Sequence, residues 1–236
     1  MYMEAKENKK FYFSKDQREL LIDFSKIKII RNNFFLTGGT ALAVFYLNHR
    51  ISNDLDLFTI KKNIKISDID YILRQKYLDK RILLKSSDEF ISLIINNIKV
   101  DFVIDLLSLK NKRKKYYFNE DTFITVDTIE NISSNKLTAL ASRSEPKDFI
   151  DFYYIGKLVW GMNLNERFNF CYRNAQKKEA IFDDPATVAY QIEENLNLIK
   201  NIHPVFESIK LKFNFNDFIK FYERIIKTIY AYESAK

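Results

Sequence analysis

Only one cysteine, Cys171, occurs in these 236 residues, which excludes an intrachain disulfide and any cluster of thiolate metal ligands. The two histidines, His49 and His203, are too few for a histidine-rich zinc site. Glycine (4) and proline (3) are scarce, so long flexible linkers, collagen-like repeats and low-complexity segments are out. No run of about eighteen uncharged apolar residues is present, which removes a membrane-spanning helix. The charged start MYMEAKENKKFYF lacks the continuous apolar stretch of a signal peptide. The expectation is a cytoplasmic protein without a membrane partner.

What remains is rich in core-forming residues: 47% are hydrophobic and 15% aromatic, enough for one large domain or two small ones. The net charge of +7 suits either anionic partners such as nucleic acid and nucleotides or plain solubility. Two of the four glycines stand side by side at Gly38-Gly39, where chance pairing is uncommon.

Periodicity divides the chain into two parts. Leu20, Leu21, Phe24, Ile27 and Ile30 recur at helical spacing, predicting one helix over 14–30 with Ser14 as N-cap. Phe34 to Leu36 reads as a short buried strand, Gly38-Gly39 as a turn, and Thr40 to Leu47 as a helix. Asp54 to Phe58 alternates charged and apolar residues, the period of a strand. Further on come a helix over Ser67 to Tyr77, capped by Ser67 or Asp68, and strands over 81–84, 90–95, 98–104 and 123–126. Asn96-Asn97 predicts a two-residue hairpin turn, since Asn tolerates left-handed backbone. From Ser133 onward the segments 133–142, 146–160, 165–178, 185–200 and 216–231 are all helical in pattern, with Pro146 and Pro185 placed where a first turn accepts proline. The fold class is therefore α+β: a mixed sheet flanked by helices over 1–130, then a helical bundle over 131–236. Aromatic residues of the second half, among them Phe168, Phe170, Tyr172, Phe218 and Tyr222, are expected in its core.

The chemistry concentrates in FFLTGGTALAVFYLNHRISNDLDLF, residues 34–58. Glycine lacks Cβ, so a phosphate can approach the backbone of Gly38 and Gly39 and meet the free N–H groups of the helix beyond them. Thr40 adds a hydroxyl donor. Asp54 and Asp56 lie two apart on a strand and so share a face, with Leu55 and Leu57 on the other. Clustered carboxylates repel, and a divalent cation between them makes the arrangement favourable; magnesium prefers such oxygen ligands. Asp101, between Val100 and Phe102 in a β-prone run, is a third acid. Beside the Asp54–Asp56 strand it would join the metal cluster and receive the proton of an attacking hydroxyl. Asp105 falls at the strand end and reads as a cap. His49 and Arg50 precede the acidic strand; Arg50 is placed within reach of phosphate, whereas His49 fits a structural role.

GGT, then DLD, then an isolated apolar–Asp–apolar strand resembles the DNA polymerase beta-type nucleotidyltransferase superfamily. Within it, Lys136 opening a helix, Arg143 two turns on, and Lys147-Asp148-Phe-Ile-Asp151 resemble a block of the AbiEii/AbiGii-type toxin nucleotidyltransferases. The likeness covers about residues 30–160; where the family has Gly-Ser, this chain has Gly39-Thr40, which keeps the hydroxyl. The resemblance implies that Gly38, Gly39 and Thr40 hold the triphosphate and that Asp54 and Asp56 bind Mg²⁺, as two ions, or Mn²⁺. It implies further that Lys136 contacts nucleotide phosphate, and that Asp148 or Asp151 orients Lys136 or contacts substrate. It also implies a growth-inhibiting toxin with the tRNA 3′ end among its acceptors, and a cognate antitoxin.

The reaction expected is attack of a hydroxyl on the α-phosphorus of a nucleoside triphosphate with expulsion of pyrophosphate. Rival readings are transfer to a small molecule or a protein hydroxyl, and a nucleotide- or RNA-binding module without turnover. The run Lys112-Arg113-Lys114-Lys115, with Tyr116 and Tyr117, either grips an RNA backbone or forms a solvated loop between strands. His203 before Pro204 reads as a helix-junction residue.

Overall fold

In the computed structural model of the chain, Ser14 accepts a hydrogen bond from the Gln17 amide and so starts α1 (Lys15–Lys26), whose Leu20, Leu21 and Phe24 turn inward. The structure describes residues 5–200 and 208–232; His203 lies outside them. The single helix expected over 14–30 is broken at Ile27, which is extended, and α2 (Lys28–Asn33) begins anew. Near the break the Ser25 hydroxyl donates to the Ile22 carbonyl at 2.6 Å, a local bond that competes with the helical ladder.

The strands are β1 (Phe35–Thr37), β2 (Leu55–Thr59), β3 (Arg81–Ser86), β4 (Phe90–Ile95), β5 (Ile98–Ile104), β6 (Lys114–Tyr117) and β7 (Phe123–Val126). Among the described residues they form one seven-stranded sheet in the order β3-β4-β5-β2-β1-β7-β6. It is mixed: β2 runs parallel to β5 and β1 parallel to β7, and the other neighbours are antiparallel. Asn96 and Asn97 have φ of 51° and 63°, the left-handed pair that a tight β4–β5 hairpin requires. Strand β6 was not expected, because its sequence is half lysine; at a sheet edge that composition is favourable, since charged side chains discourage pairing with other chains.

Alternation sorts the central strands. Leu55, Leu57, Val100 and Phe102 are fully buried on one face, where Phe24 of α1 meets the Phe102 ring edge-on at 5.5 Å. Asp56 and Asp101 take the other face. Between β1 and β2, α3 (Gly38–Leu42) continues into a π-helical turn over Ala43–Leu47. Between β2 and β3, α4 (Ile66–Tyr77) starts from Lys65 with no side-chain cap, so neither Ser67 nor Asp68 plays that part; Asp68 sits in the first turn, where a negative charge suits the helix dipole. Asp105 does cap, accepting from the Leu107 and Ser108 amides.

The chain divides into two compact units, Met1–Ile129 and Glu130–Lys236. The second carries α5 (Ile129–Ser142, from its second residue), α6 (Pro146–Ile155), a π-helical turn Gly156–Trp160, α7 (Leu164–Gln176), α8 (Pro185–Lys200) and α9 (Phe215–Tyr230). Its core is aromatic: Tyr222 meets Phe149 at 5.1 Å and Phe218 at 5.0 Å between ring centroids. Phe170 departs from the expectation, being 42% exposed on the outer face of α7. The architecture is α+β, and no described helix is long and apolar enough to cross a membrane.

Candidate functional site

Strand register builds the first group of candidate residues. Asp56 pairs with Asp101 across β2–β5 and with Thr37 across β2–β1, while Ser92 pairs with Asp101 across β4–β5. Directly opposed residues point to the same side, so a polar row, Ser92–Asp101–Asp56–Thr37, crosses four strands. Asp54 just precedes β2, half-buried.

Gly38 stands at the end of that row. Its φ is +67°, and a Cβ added there would overlap the carboxylate of Asp56; only glycine satisfies both demands. Gly39 is approached from beneath, where an added Cβ would lie 2.5 Å from Arg50 Nη2 and 2.7 Å from Ser52 Oγ. Arg50 is 4% exposed, and its Nη1 donates to the Ile51 carbonyl at 2.9 Å. It therefore sets positive charge behind the turn rather than on open surface. Thr40 was expected to offer its hydroxyl to an anion, but it is fully buried and donates inward to the Asp54 carbonyl. That bond ties the helix start to the acidic strand. His49 is fully buried, in keeping with a structural role.

Asp101 is engaged on both oxygens, accepting from Ser92 Oγ at 2.5 Å and Lys99 Nζ at 2.8 Å. Partial burial disfavours the charged form of Lys99. The hydrogen bond to Asp101 and the charges of Asp101, Asp54 and Asp56 outweigh this and hold its pKa above the ordinary lysine range. Sequence reasoning expected three carboxylates gathered round divalent ions. Among the described residues no three or more His, Cys, Asp or Glu side chains are grouped so as to hold a metal. On β5 itself Lys99 supplies a cation to Asp101. Asp54 and Asp56 still fit magnesium, which commonly takes one or two protein carboxylates and completes its shell with water and substrate phosphate. The missing Cβ of Gly38 is what makes room for the Asp56 carboxylate.

Beside the row lies a residue that sequence reasoning missed. Asp127, fully buried after β7, accepts from Thr37 Oγ1 at 2.7 Å and from Arg113 Nε at 2.7 Å. Its carbonyl accepts from the Tyr46 hydroxyl at 2.5 Å. A lone aspartate at a strand end carries no signal apart from capping; its contacts come from Thr37 of β1, Tyr46 of the π-helical turn and Arg113 ahead of β6. The same contact corrects the basic run. Arg113, read as either a nucleic-acid contact or part of a solvated loop, has a side chain only 7% exposed and stacks 3.6 Å over the Phe35 ring. Lys112 is exposed in the preceding loop, Lys114 and Lys115 belong to edge strand β6, and Lys115 lies 4.2 Å over the Phe123 ring. Tyr116 is not free to stack a base: its hydroxyl donates to Glu7 at 3.1 Å and its ring packs on Phe45.

The second unit holds the other candidates. Lys136 Nζ lies 2.6 Å from Asp148 Oδ1 and 2.7 Å from Asp151 Oδ2, both carboxylates being fully buried. Arg143 Nη2 reaches Asp148 Oδ2 at 2.7 Å. Burial alone would raise the Asp148 pKa, but Lys136 and Arg143 reverse it and hold it below the usual carboxylate range. The Tyr222 hydroxyl nearby is pushed far up by burial and by the charges of Asp151 and Asp148. Helical spacing accounts for the grouping: Asp148 and Asp151 are three apart on α6 and so share a face.

A family model described as "Nucleotidyl transferase AbiEii toxin, Type IV TA system" matches residues 26–193. An uncharacterized protein of Aquifex aeolicus (strain VF5) is 33% identical over 188 residues, covering 75% of this chain and 86% of that one. MenT4, a nucleotidyltransferase toxin from Mycobacterium tuberculosis H37Rv, superposes with a TM-score of 0.57 over 92% of this chain and 82% of its own. At 10% identity that is a likeness of fold.

Proposed function

This chain belongs to the AbiEii family of nucleotidyl transferase toxins, and from that premise we propose that it transfers a nucleoside monophosphate from a nucleoside triphosphate to a hydroxyl of RNA. Nucleotidyltransferase is the enzyme class of the family; the RNA acceptor, with the tRNA 3′ end as the leading instance, is the finer reading. A cognate antitoxin is proposed as partner on the family's description.

One observation carries the assignment: Asp56 is in register with Asp101 and fills the space left by Gly38. In the proposed reaction the acceptor oxygen bonds to the α-phosphorus, the bond from that phosphorus to the bridging oxygen breaks, and pyrophosphate leaves. Asp54 and Asp56 would hold a divalent cation, which when bound neutralises charge on the attacking and leaving oxygens. Gly38 and Gly39 would admit the triphosphate to the backbone N–H groups, with Arg50 adding positive charge from behind. Asp101 is assigned the acceptor proton, with Ser92 and Lys99 fixing its orientation. In the second unit Lys136 is assigned to phosphate, oriented by Asp148 and Asp151; the two short ion pairs support that division of roles.

The test is incubation of the full chain with each labelled triphosphate and total RNA, with and without Mg²⁺. Label should enter RNA only with the metal, and Asp56→Ala should lower the rate by about 10²-fold or more, the scale of losing one electrostatic stabiliser. Undiminished labelling by Asp56→Ala would reject the assignment.

A further inference from the structure

The proposed transfer leaves unused a groove of about 980 Å³ in the second unit. Its walls are Asn165, Asn169 and Arg173 of α7 and Lys220, Arg224 and Lys227 of α9. Spacings of four and three place each set on one helix face, while Phe218, Tyr222, Ile225 and Ile229 bury the opposite face of α9. Arg224 Nη2 donates to Asn165 Oδ1 at 3.3 Å, joining the walls, and the rings of Tyr172 and Tyr232 pack at 4.3 Å at one end.

Charge and lining together indicate the occupant. Arg173, Lys220, Arg224 and Lys227 are all exposed, and among the described residues the one carboxylate lining the groove with them is Glu223. Among the described residues the apolar surface of the lining comes from Ala231, the Tyr232 ring and the stems of its longer polar side chains, with no larger aliphatic side chain. A protein partner would want an apolar centre to its interface; a phosphate backbone wants cations and amide donors and no apolar centre. From Lys220 to Lys227 the cations extend about 10 Å along α9 at about 1.5 Å per residue.

We propose that this groove binds the phosphate backbone of RNA and is a docking surface for the acceptor. The inference rests on RNA being the acceptor and adds the surface that holds the strand. Binding of a fluorescein-labelled single-stranded RNA to the full chain is measured across a salt series, with transfer kinetics alongside. The variant Lys220→Ala/Arg224→Ala/Lys227→Ala changes only exposed side chains, and circular dichroism reports its folding. Lys9→Ala/Lys62→Ala/Lys65→Ala removes equal charge from exposed positions of the first unit. The α9 variant should bind RNA at least about 10-fold more weakly, and its plot of log K against log salt should flatten by about 2, at about 0.7 for each lost phosphate contact. Its KM for RNA should rise while its KM for the triphosphate holds, and the control should match the parent. Equal binding and slope in parent and α9 variant would overturn the groove while leaving an RNA acceptor intact. Equal losses in the α9 variant and the control would also overturn it, as a general effect of net charge. A parent that neither binds nor labels RNA would overturn both readings together.

Discussion

At Asp148 a single buried carboxylate meets two cations, Lys136 and Arg143. Its pKa is depressed on folding, so its contribution to stability is complete above the unfolded carboxylate value of about 3.9 and is lost as pH falls through the lower folded value. Asp148→Asn should therefore melt below the parent at pH 7, because Arg143 loses its carboxylate and Lys136 is left with Asp151, and the difference should shrink steadily below about pH 4. Melting temperatures from pH 7 down to pH 3 decide this; a constant difference would mean that the ionised form is not what matters. Stranding a buried charge costs about 3–5 kcal/mol; here Lys136 keeps Asp151 and the Arg143 side chain is 54% exposed, so the neutral-pH loss should fall below that range. Lys136, Arg143, Asp148 and Asp151 could be singled out in sequence through a resemblance. The resemblance left open which of Asp148 and Asp151 faces Lys136, since spacing alone does not say which cation faces which acid.

Among the elements, a tight helix approach occurs where α6 runs into its π-helical turn. A Cβ on Gly156 would stand 2.5 Å from Phe221 Cζ of α9, and the ring is held in place because it also packs on Phe152 and Tyr153. Gly156→Ala should lower stability by about 1–3 kcal/mol, as overpacking does, and Phe221→Leu should recover part of that loss in the double variant. Urea midpoints measure it; additive effects of the two changes would remove the proposed contact. Elements differed in how readily they were legible. The β4–β5 hairpin was plain from Asn96-Asn97 and the flanking alternation, because turn and pattern are both local. Strand β6 was hidden by its lysines, which an edge position tolerates and a periodicity search discards. The break after α1 was hidden as well, since Ile27 continues the apolar pattern while its backbone leaves the helix.

For the whole molecule, the only tryptophan and the only cysteine both fall in the second unit. Burial pushes the Cys171 thiol up to about 12, so at neutral pH it is protonated and shielded from reagents. Trp160 is buried and linked to α7 through Phe168, at 6.4 Å between ring centroids. Thiol labelling and tryptophan fluorescence should then report one event, with a common urea midpoint. Labelling of Cys171 well before the fluorescence change would mean that α7 opens separately from the core around Trp160.

What depends on near neighbours in the chain was determined by sequence alone: the helical second half, the alternating strands and the Asn-Asn turn. Backbone periodicity and conformational preference act over a few residues, so they can be read without coordinates. Tertiary structure decided what depends on pairing between distant segments. It set Asp101 beside Asp56, turned the Thr40 hydroxyl inward, buried Arg113 against Asp127, gave Asp101 the ammonium of Lys99, and aligned two helix faces into a basic groove. Register and packing place charges beside partners that sequence distance does not reveal, and those partners decide whether a charged side chain remains available to a ligand.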